Sequence, residues 1–190
     1  MDSGRARMGM MIEGRWVAED DLGGVDPDGR FRRAAAGITH WIDAGGPFPP
    51  EAGRYRLYAA WNCPWAHRAL LARAELGLQD ALPVSFVAPR RTAEGWVFDP
   101  DAGFADDLHE AGALHELYAR GAPGFTGRVT VPLLWDAATD RAVSNESADI
   151  VRMLGRLAGD DRLRPARLSA EVDRWNALIH PRLNNGVYRA

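Results

Sequence analysis

The sequence of 190 residues contains one cysteine, Cys63, and this scarcity limits the chemistry that the chain can carry out. A chain with a single cysteine cannot form an internal disulfide. Any thiol–disulfide chemistry at Cys63 therefore needs a second thiol from another molecule. A single cysteine without a recognisable signal peptide is typical of proteins in a reducing compartment. We therefore predict a cytoplasmic protein.

Other patterns are missing too, and each absence excludes a class of function. The five histidines have no metal-ligand spacing, and the sequence has no paired CxxC motif and no phosphate-binding loop, so no metal is expected. The 23 basic and 26 acidic residues give a formal net charge of −3 without a basic stripe, which argues against nucleic acid as a partner. The apolar run at residues 8–12 is too short to span a membrane, so no membrane association is expected.

The sequence divides into three predicted parts, and its apolar fraction of 46% is enough for a core. Residues 1–50 have little regular pattern and are predicted to form an N-terminal arm. Residues 51–160 combine strand and helix patterns, which indicates an α/β domain with helices packed on a small sheet. Residues 161–190 begin a separate helical pattern. Strands are predicted at 54–59, 84–87, 129–135 and 142–144, and helices at 64–76, 108–118, 144–158 and 168–180.

Cys63 lies where a strand pattern ends and a helix pattern begins. Pro64 suits the first position of that helix. Backbone N–H groups and the dipole at a helix N-terminus stabilise a thiolate, so this context favours a reactive thiol. A lone cysteine is otherwise most often a small buried apolar residue. Ala66 stands where a dithiol redox protein has its second cysteine.

Two further segments each allow two interpretations. A proline inside a strand pattern usually indicates an edge strand, but Pro132 could instead follow a cis peptide bond that turns the backbone of Val131 toward an extended ligand. The run at residues 144–147 caps a helix. Its Glu146 and Ser147 could also bind the ammonium and carboxylate groups of a ligand, and the two roles are compatible.

Four segments of the sequence together resemble the glutathionyl-hydroquinone reductases, which are the Xi-class glutathione transferases. The run Cys-Pro-Trp-Ala-His-Arg at residues 63–68 is the most specific of them, whereas Glu-Ser is shared by most glutathione transferases. The resemblance extends from about residue 14 to the end of the chain, and it implies a thioredoxin-like domain followed by the start of an all-α domain. The four segments are residues 62–68, 128–136, 144–147 and 183–188.

The resemblance implies which residues bind glutathione. Trp96 would pack over the tripeptide and Arg128 would meet its glycyl carboxylate side, although by themselves these are a typical core residue and a typical solvated charge. The backbone of Val131 would pair with the cysteinyl unit. Glu146 and Ser147 would hold the γ-glutamyl end.

The resemblance also implies the reaction, which is reduction of a glutathionyl-hydroquinone to the free hydroquinone. Cys63 would be the nucleophile, and Tyr188 would reach the phenolic substrate. The Cys63 thiolate attacks the substrate sulfur, and a second glutathione resolves the resulting mixed disulfide. Glutathione is thus the co-substrate, and neither metal nor flavin is implied. Two alternatives remain open: a glutaredoxin-like or dehydroascorbate-type thiol transferase, and a non-catalytic protein that binds glutathione.

The chain departs from this family in length. Family members continue into a full helical C-terminal domain, which supplies much of the quinone pocket and of the dimer contact. This chain stops soon after the first helix of that domain, so a homodimer is expected only if the helical domain is present. We also expect Val172, Trp175 and Ile179, an apolar stripe on that helix, to be left exposed.

Overall fold

The computed structural model describes residues 9–18 and 37–186, in which a four-stranded sheet carries helices on both faces. The strands are β1 (Met10–Ile12), β2 (Arg15–Val17), β3 (Tyr55–Ala59), β4 (Val84–Phe86), β5 (Arg91–Thr92), β6 (Gly95–Trp96), β7 (Leu133–Asp136) and β8 (Arg141–Ser144). The α-helices are α1 (Pro64–Glu75), α2 (Leu114–Gly121), α3 (Ser147–Ala158) and α4 (Ser169–Ile179). Short 3₁₀ turns lie at Pro100–Ala102 and Ala166–Leu168, and a π-helical turn at His180–Asn184 follows α4.

The central sheet has the strand order β4-β3-β7-β8. β4 is parallel to β3, while β7 and β8 are antiparallel to their neighbours. Successive side chains of a strand point to opposite faces, so each central strand contributes to two cores. On one face Leu57 and Leu134 pack with α1 and α3. On the other face Tyr58 and Trp135 pack with α2.

The first predicted strand and helix are present as β3 and α1, each within one residue of its expected ends. Gly77 follows α1 with a φ of 66°, a left-handed conformation that suits glycine and ends a helix. The strand predicted at 129–135 is shorter than expected. β7 begins only after Pro132, which has no N–H group to give to a strand ladder.

The helix predicted at 108–118 is wrong at its start, because α2 begins at Leu114. Asp106 is buried and accepts hydrogen bonds from the backbone N–H of Leu108 at 3.2 Å and from the Tyr58 hydroxyl at 3.0 Å. These bonds hold the chain in a turn. The helix starts later, where the Glu116 carboxylate accepts the Ala113 N–H at 3.0 Å.

Parts of the predicted N-terminal arm pack onto the domain. β1 and β2 form a hairpin, and Met11 exchanges backbone hydrogen bonds with Gly127 at 2.8 and 2.9 Å. Met11 is fully buried in the core that contains α2. Ile38 and Ile42 are also buried, on opposite faces of the sheet.

The last described helix, α4, has little cover. Trp175 is 47% exposed and Ile179 37% exposed, and Val172 is half-buried, so most of the predicted apolar stripe faces solvent. Leu71 and Val172 line a groove of ≈ 770 Å³ between α1, α3 and α4. Across the described residues, no helix combines the length and the apolar character that crossing a membrane requires.

Candidate active site

Cys63 is the N-cap residue of α1, as the sequence predicts. The turn that places it there is closed by a hydrogen bond from its N–H to the carbonyl of Ala60 at 3.2 Å. Its own carbonyl accepts the His67 N–H at 2.9 Å, which is the first helical bond of α1. The side chain is half-buried and therefore remains accessible at the end of the helix that favours negative charge.

The thiol of Cys63 contacts the loop that precedes β7. Its Sγ–H group donates a weak hydrogen bond to the carbonyl of Val131 at 3.5 Å. The Val131-Pro132 peptide bond is cis, as the second of the two interpretations of this segment requires. Among the described residues, the backbone N–H of Val131 has no hydrogen-bond partner. A buried N–H without a partner needs one, and an extended ligand can supply it.

Buried polar groups hold this loop in place. The Tyr118 hydroxyl donates to the carbonyl of Thr130 at 2.8 Å and accepts the Thr130 N–H at 3.2 Å. Burial raises the pKa of Tyr118 because the phenolate would be poorly solvated there. Asn145 lies within 3.4 Å of the Thr130 hydroxyl through its amide nitrogen. α2 and the start of α3 therefore both position the backbone opposite Cys63.

Glu146 and Ser147 lie at the N-terminus of α3. Glu146 is the N-cap residue, and its Oε1 accepts the Ala148 N–H at 3.0 Å, so the expected capping role is present. The Glu146 side chain is still 39% exposed. Ser147 begins the helix and is buried.

Arg68 joins these two residues to α1, and no role was predicted for it. Its Nε and Nη2 donate to the Ser147 hydroxyl oxygen at 3.0 and 2.6 Å, and its Nη2 lies 3.4 Å from Glu146 Oε1. The guanidinium also lies 5.1 Å from the centroid of the Trp65 ring. The sequence signal was present, since Arg68 ends the most specific motif of the chain.

Charges of both signs surround the start of α3. Burial raises the pKa of Asp149, and Arg152, 3.4 Å away, opposes that effect. Glu146 raises the pKa of Asp149 further, and Arg68 lowers it. Two carboxylates and two guanidinium groups therefore lie at this helix end, and their formal charges cancel.

Trp96 lies in β6 and is 6% exposed. The guanidinium of Arg91 lies 4.4 Å from the centroid of its ring, a cation–π contact. The indole Nε1 is buried and has no hydrogen-bond partner among the described residues. Trp96 belongs to the apolar cluster that contains Val131 and against which Cys63 packs.

The other predicted site residues are less defined by the structure. Arg128 is half-buried beside the hairpin contact at Gly127, and it is engaged in an interaction with the protein. Tyr188 lies outside the described residues. Among the described residues no cluster of three or more histidine, cysteine, aspartate or glutamate side chains could hold a metal ion.

The chain belongs to the glutathione S-transferase family, since residues 62–157 match the family model for the glutathione S-transferase N-terminal domain. The thioredoxin-like α/β fold predicted from the sequence is confirmed by this match and by the solved structures that it resembles.

The resemblance to the Xi class is confirmed as well. The Xi-class transferase of Natrialba magadii is 40% identical and has a TM-score of 0.83, over 96% of this chain and 57% of that protein. The glutathionyl-hydroquinone reductase PcpF of Sphingobium chlorophenolicum is 41% identical over 96% of this chain and 59% of its own length. The reductase YqjG of Escherichia coli is 38% identical over 96% of this chain and 60% of its own length. The chain thus spans about three fifths of these relatives.

Proposed function

We propose that this chain binds glutathione and reduces glutathionyl-hydroquinones through Cys63. The observation that carries the proposal is the Cys63 thiol at the N-terminus of α1, 3.5 Å from the carbonyl of Val131. The backbone N–H of Val131 has no partner among the described residues, so the cysteinyl unit of glutathione can pair with this residue. The names of the relatives PcpF and YqjG, and the glutathione-bound structure of YqjG, support this assignment.

The two ends of glutathione would be held on either side of Cys63. Glu146 offers an exposed carboxylate to the ligand ammonium, and Ser147 offers a hydroxyl at the N-terminus of α3 to the adjacent carboxylate. Trp96 would meet the tripeptide with its unpartnered indole N–H, and Arg128 would lie toward the glycyl carboxylate. Tyr188 would contact the phenolic ring.

The reaction balances with glutathione as the only reductant. The Cys63 thiolate forms a bond to the substrate sulfur, and the bond from that sulfur to the aromatic carbon breaks. The carbon takes up a proton to give the free hydroquinone, and Cys63 is left as a mixed disulfide with glutathione. A second glutathione attacks this disulfide, releases oxidised glutathione and returns the thiolate.

The cellular setting and assembly follow from the same proposal. A reaction that consumes reduced glutathione fits the cytoplasm, where thiols are kept reduced. A homodimer would form only if the helical domain that the family resemblance implies is present.

The test compares two substrates on wild-type protein and on Cys63→Ser. We expect wild-type protein to release free hydroquinone from a glutathionyl-hydroquinone faster than it reduces a simple glutathione mixed disulfide. Cys63→Ser should lose both activities, because a hydroxyl cannot form the mixed disulfide. Equal or faster reduction of the simple disulfide would favour a glutaredoxin-like transferase. Binding of glutathione without either activity would identify a non-catalytic protein.

A further inference from the structure

The buried hydroxyl of Ser147 lies against the guanidinium cation of Arg68 at the start of α3. A hydroxyl has one hydrogen to donate and two lone pairs that accept. Arg68 places two N–H donors on the Ser147 oxygen, at 3.0 and 2.6 Å. Among the described residues, the Ser147 hydroxyl has no acceptor for its own hydrogen. Both lone pairs are therefore used, and the hydrogen remains available.

This arrangement restricts what Ser147 can bind. Arginine stays charged and can only donate, so it cannot exchange roles with the hydroxyl. A ligand group that meets Ser147 must then accept a hydrogen bond. The positive charge of Arg68 beside it favours an anionic acceptor over a neutral one. A carboxylate satisfies both conditions, whereas an N–H group satisfies neither.

We propose that Arg68 is a positioning residue that fixes the Ser147 hydroxyl as a donor and so selects the α-carboxylate of the γ-glutamyl unit. This inference rests on the proposed binding of glutathione at Glu146 and Ser147. Arg68 lies on α1, the helix that begins at Cys63, and its partners lie at the start of α3. The same side chain therefore fixes the distance between the reacting thiol and the γ-glutamyl end of the ligand.

The experiment measures binding of two ligands by calorimetry. One is glutathione, and the other is glutathione whose γ-glutamyl α-carboxylate has been converted to the primary amide. Wild-type protein should bind glutathione about tenfold or more tightly than the amide. Arg68→Met should bring the two affinities together, because Ser147 can then turn to accept from the amide. In a Ser147→Ala background, Arg68→Met should change that ratio little.

Arg152→Met is the matched control. Arg152 has nearly the same side-chain exposure as Arg68, 31% against 30%, and lies on α3, but it pairs with Asp149 and Asp173 instead of Ser147. It should keep the wild-type preference for the carboxylate. If Arg68 had only a structural role, Arg68→Met would weaken the binding of both ligands equally. The ratio of the two affinities would then stay at the wild-type value, and that result would overturn the inference.

Arg68→Lys provides a second variant in case Arg68→Met fails to fold. Lysine keeps the charge but has one nitrogen, so it cannot occupy both lone pairs of Ser147 as the guanidinium does. The preference for the carboxylate should fall below the wild-type value. Full preference in Arg68→Lys would show that charge alone suffices and would overturn the two-donor argument.

Wild-type protein that binds neither ligand would reject the proposed function and this inference together, whereas tight binding of both ligands without discrimination between them would reject the inference alone.

Discussion

A buried ion pair between Arg54 and Asp136 joins the start of β3 to the end of β7. β3 precedes Cys63 in the chain, and β7 follows Pro132. Arg54 Nε and Nη2 each donate to one oxygen of Asp136 at 2.7 Å, and the Asp136 side chain is fully buried. Arg54→Met would leave that carboxylate with only the Thr139 hydroxyl and one backbone N–H as donors. Breaking a buried pair in this way costs about 3–5 kcal/mol.

The predicted loss is a large fraction of the stability of a typical domain, which is about 5–15 kcal/mol. Urea unfolding followed by tryptophan fluorescence measures it. Arg90→Met is the matched control, because Arg90 donates to Asp99 at 2.6 Å but is 63% exposed. An exposed pair contributes about 0–1 kcal/mol. If Arg54→Met costs no more than Arg90→Met, the reasoning from burial is refuted.

The same pair predicts how stability depends on pH. Burial alone would raise the pKa of Asp136, but hydrogen bonds from Arg54 and Thr139 outweigh it and hold the pKa below its ordinary value. An acid whose pKa is lowered by folding stabilises the fold above its unfolded pKa of about 3.9. That contribution should disappear as the pH falls further, through the pKa of the folded state. Arg54→Met should show less of this acid-dependent loss.

Three further predictions concern the site and α4. Tyr118→Phe should cost about 1–3 kcal/mol of unfolding free energy, because it leaves the half-buried N–H and carbonyl of Thr130 without the hydroxyl that pairs with both; an unchanged urea midpoint would contradict this. Glu146→Ala should weaken glutathione binding by roughly tenfold or more in calorimetry, through loss of a charged partner; equal affinity would reject its ligand role. Trp175 and Ile179 should bind an apolar dye, and Trp175→Ser should reduce the fluorescence of that dye; equal signals from both proteins would place the dye elsewhere.

Local signals in the sequence were enough to predict the elements around Cys63. Pro64 and Gly77 mark both ends of α1, and a strand pattern precedes the cysteine. These features depend on neighbours a few residues away, and the structure agrees with them closely.

Features that depend on distant contacts were not predictable in this way. The start of α2 is set by Asp106, which pairs with the hydroxyl of Tyr58, 48 residues earlier. Arg68 reaches Ser147 across 79 residues, and that contact exists only because α1 packs on α3. No periodicity or motif spacing contains such distances. The resemblance to a family supplied the roles expected of Trp96, Arg128 and Tyr188, whereas the role proposed for Arg68 required the structure.

The central claim is that Cys63 removes glutathione from the substrate as a mixed disulfide, and one single-turnover measurement tests it most directly. The protein is mixed with an equal amount of a glutathionyl-hydroquinone and no free glutathione, and intact-protein mass spectrometry is combined with quantification of hydroquinone. The account predicts one glutathione attached at Cys63 for each hydroquinone released. Added glutathione should remove this adduct while the hydroquinone stays free, and Cys63→Ser should give neither adduct nor hydroquinone. Hydroquinone released without an adduct on Cys63, or by Cys63→Ser, would contradict it.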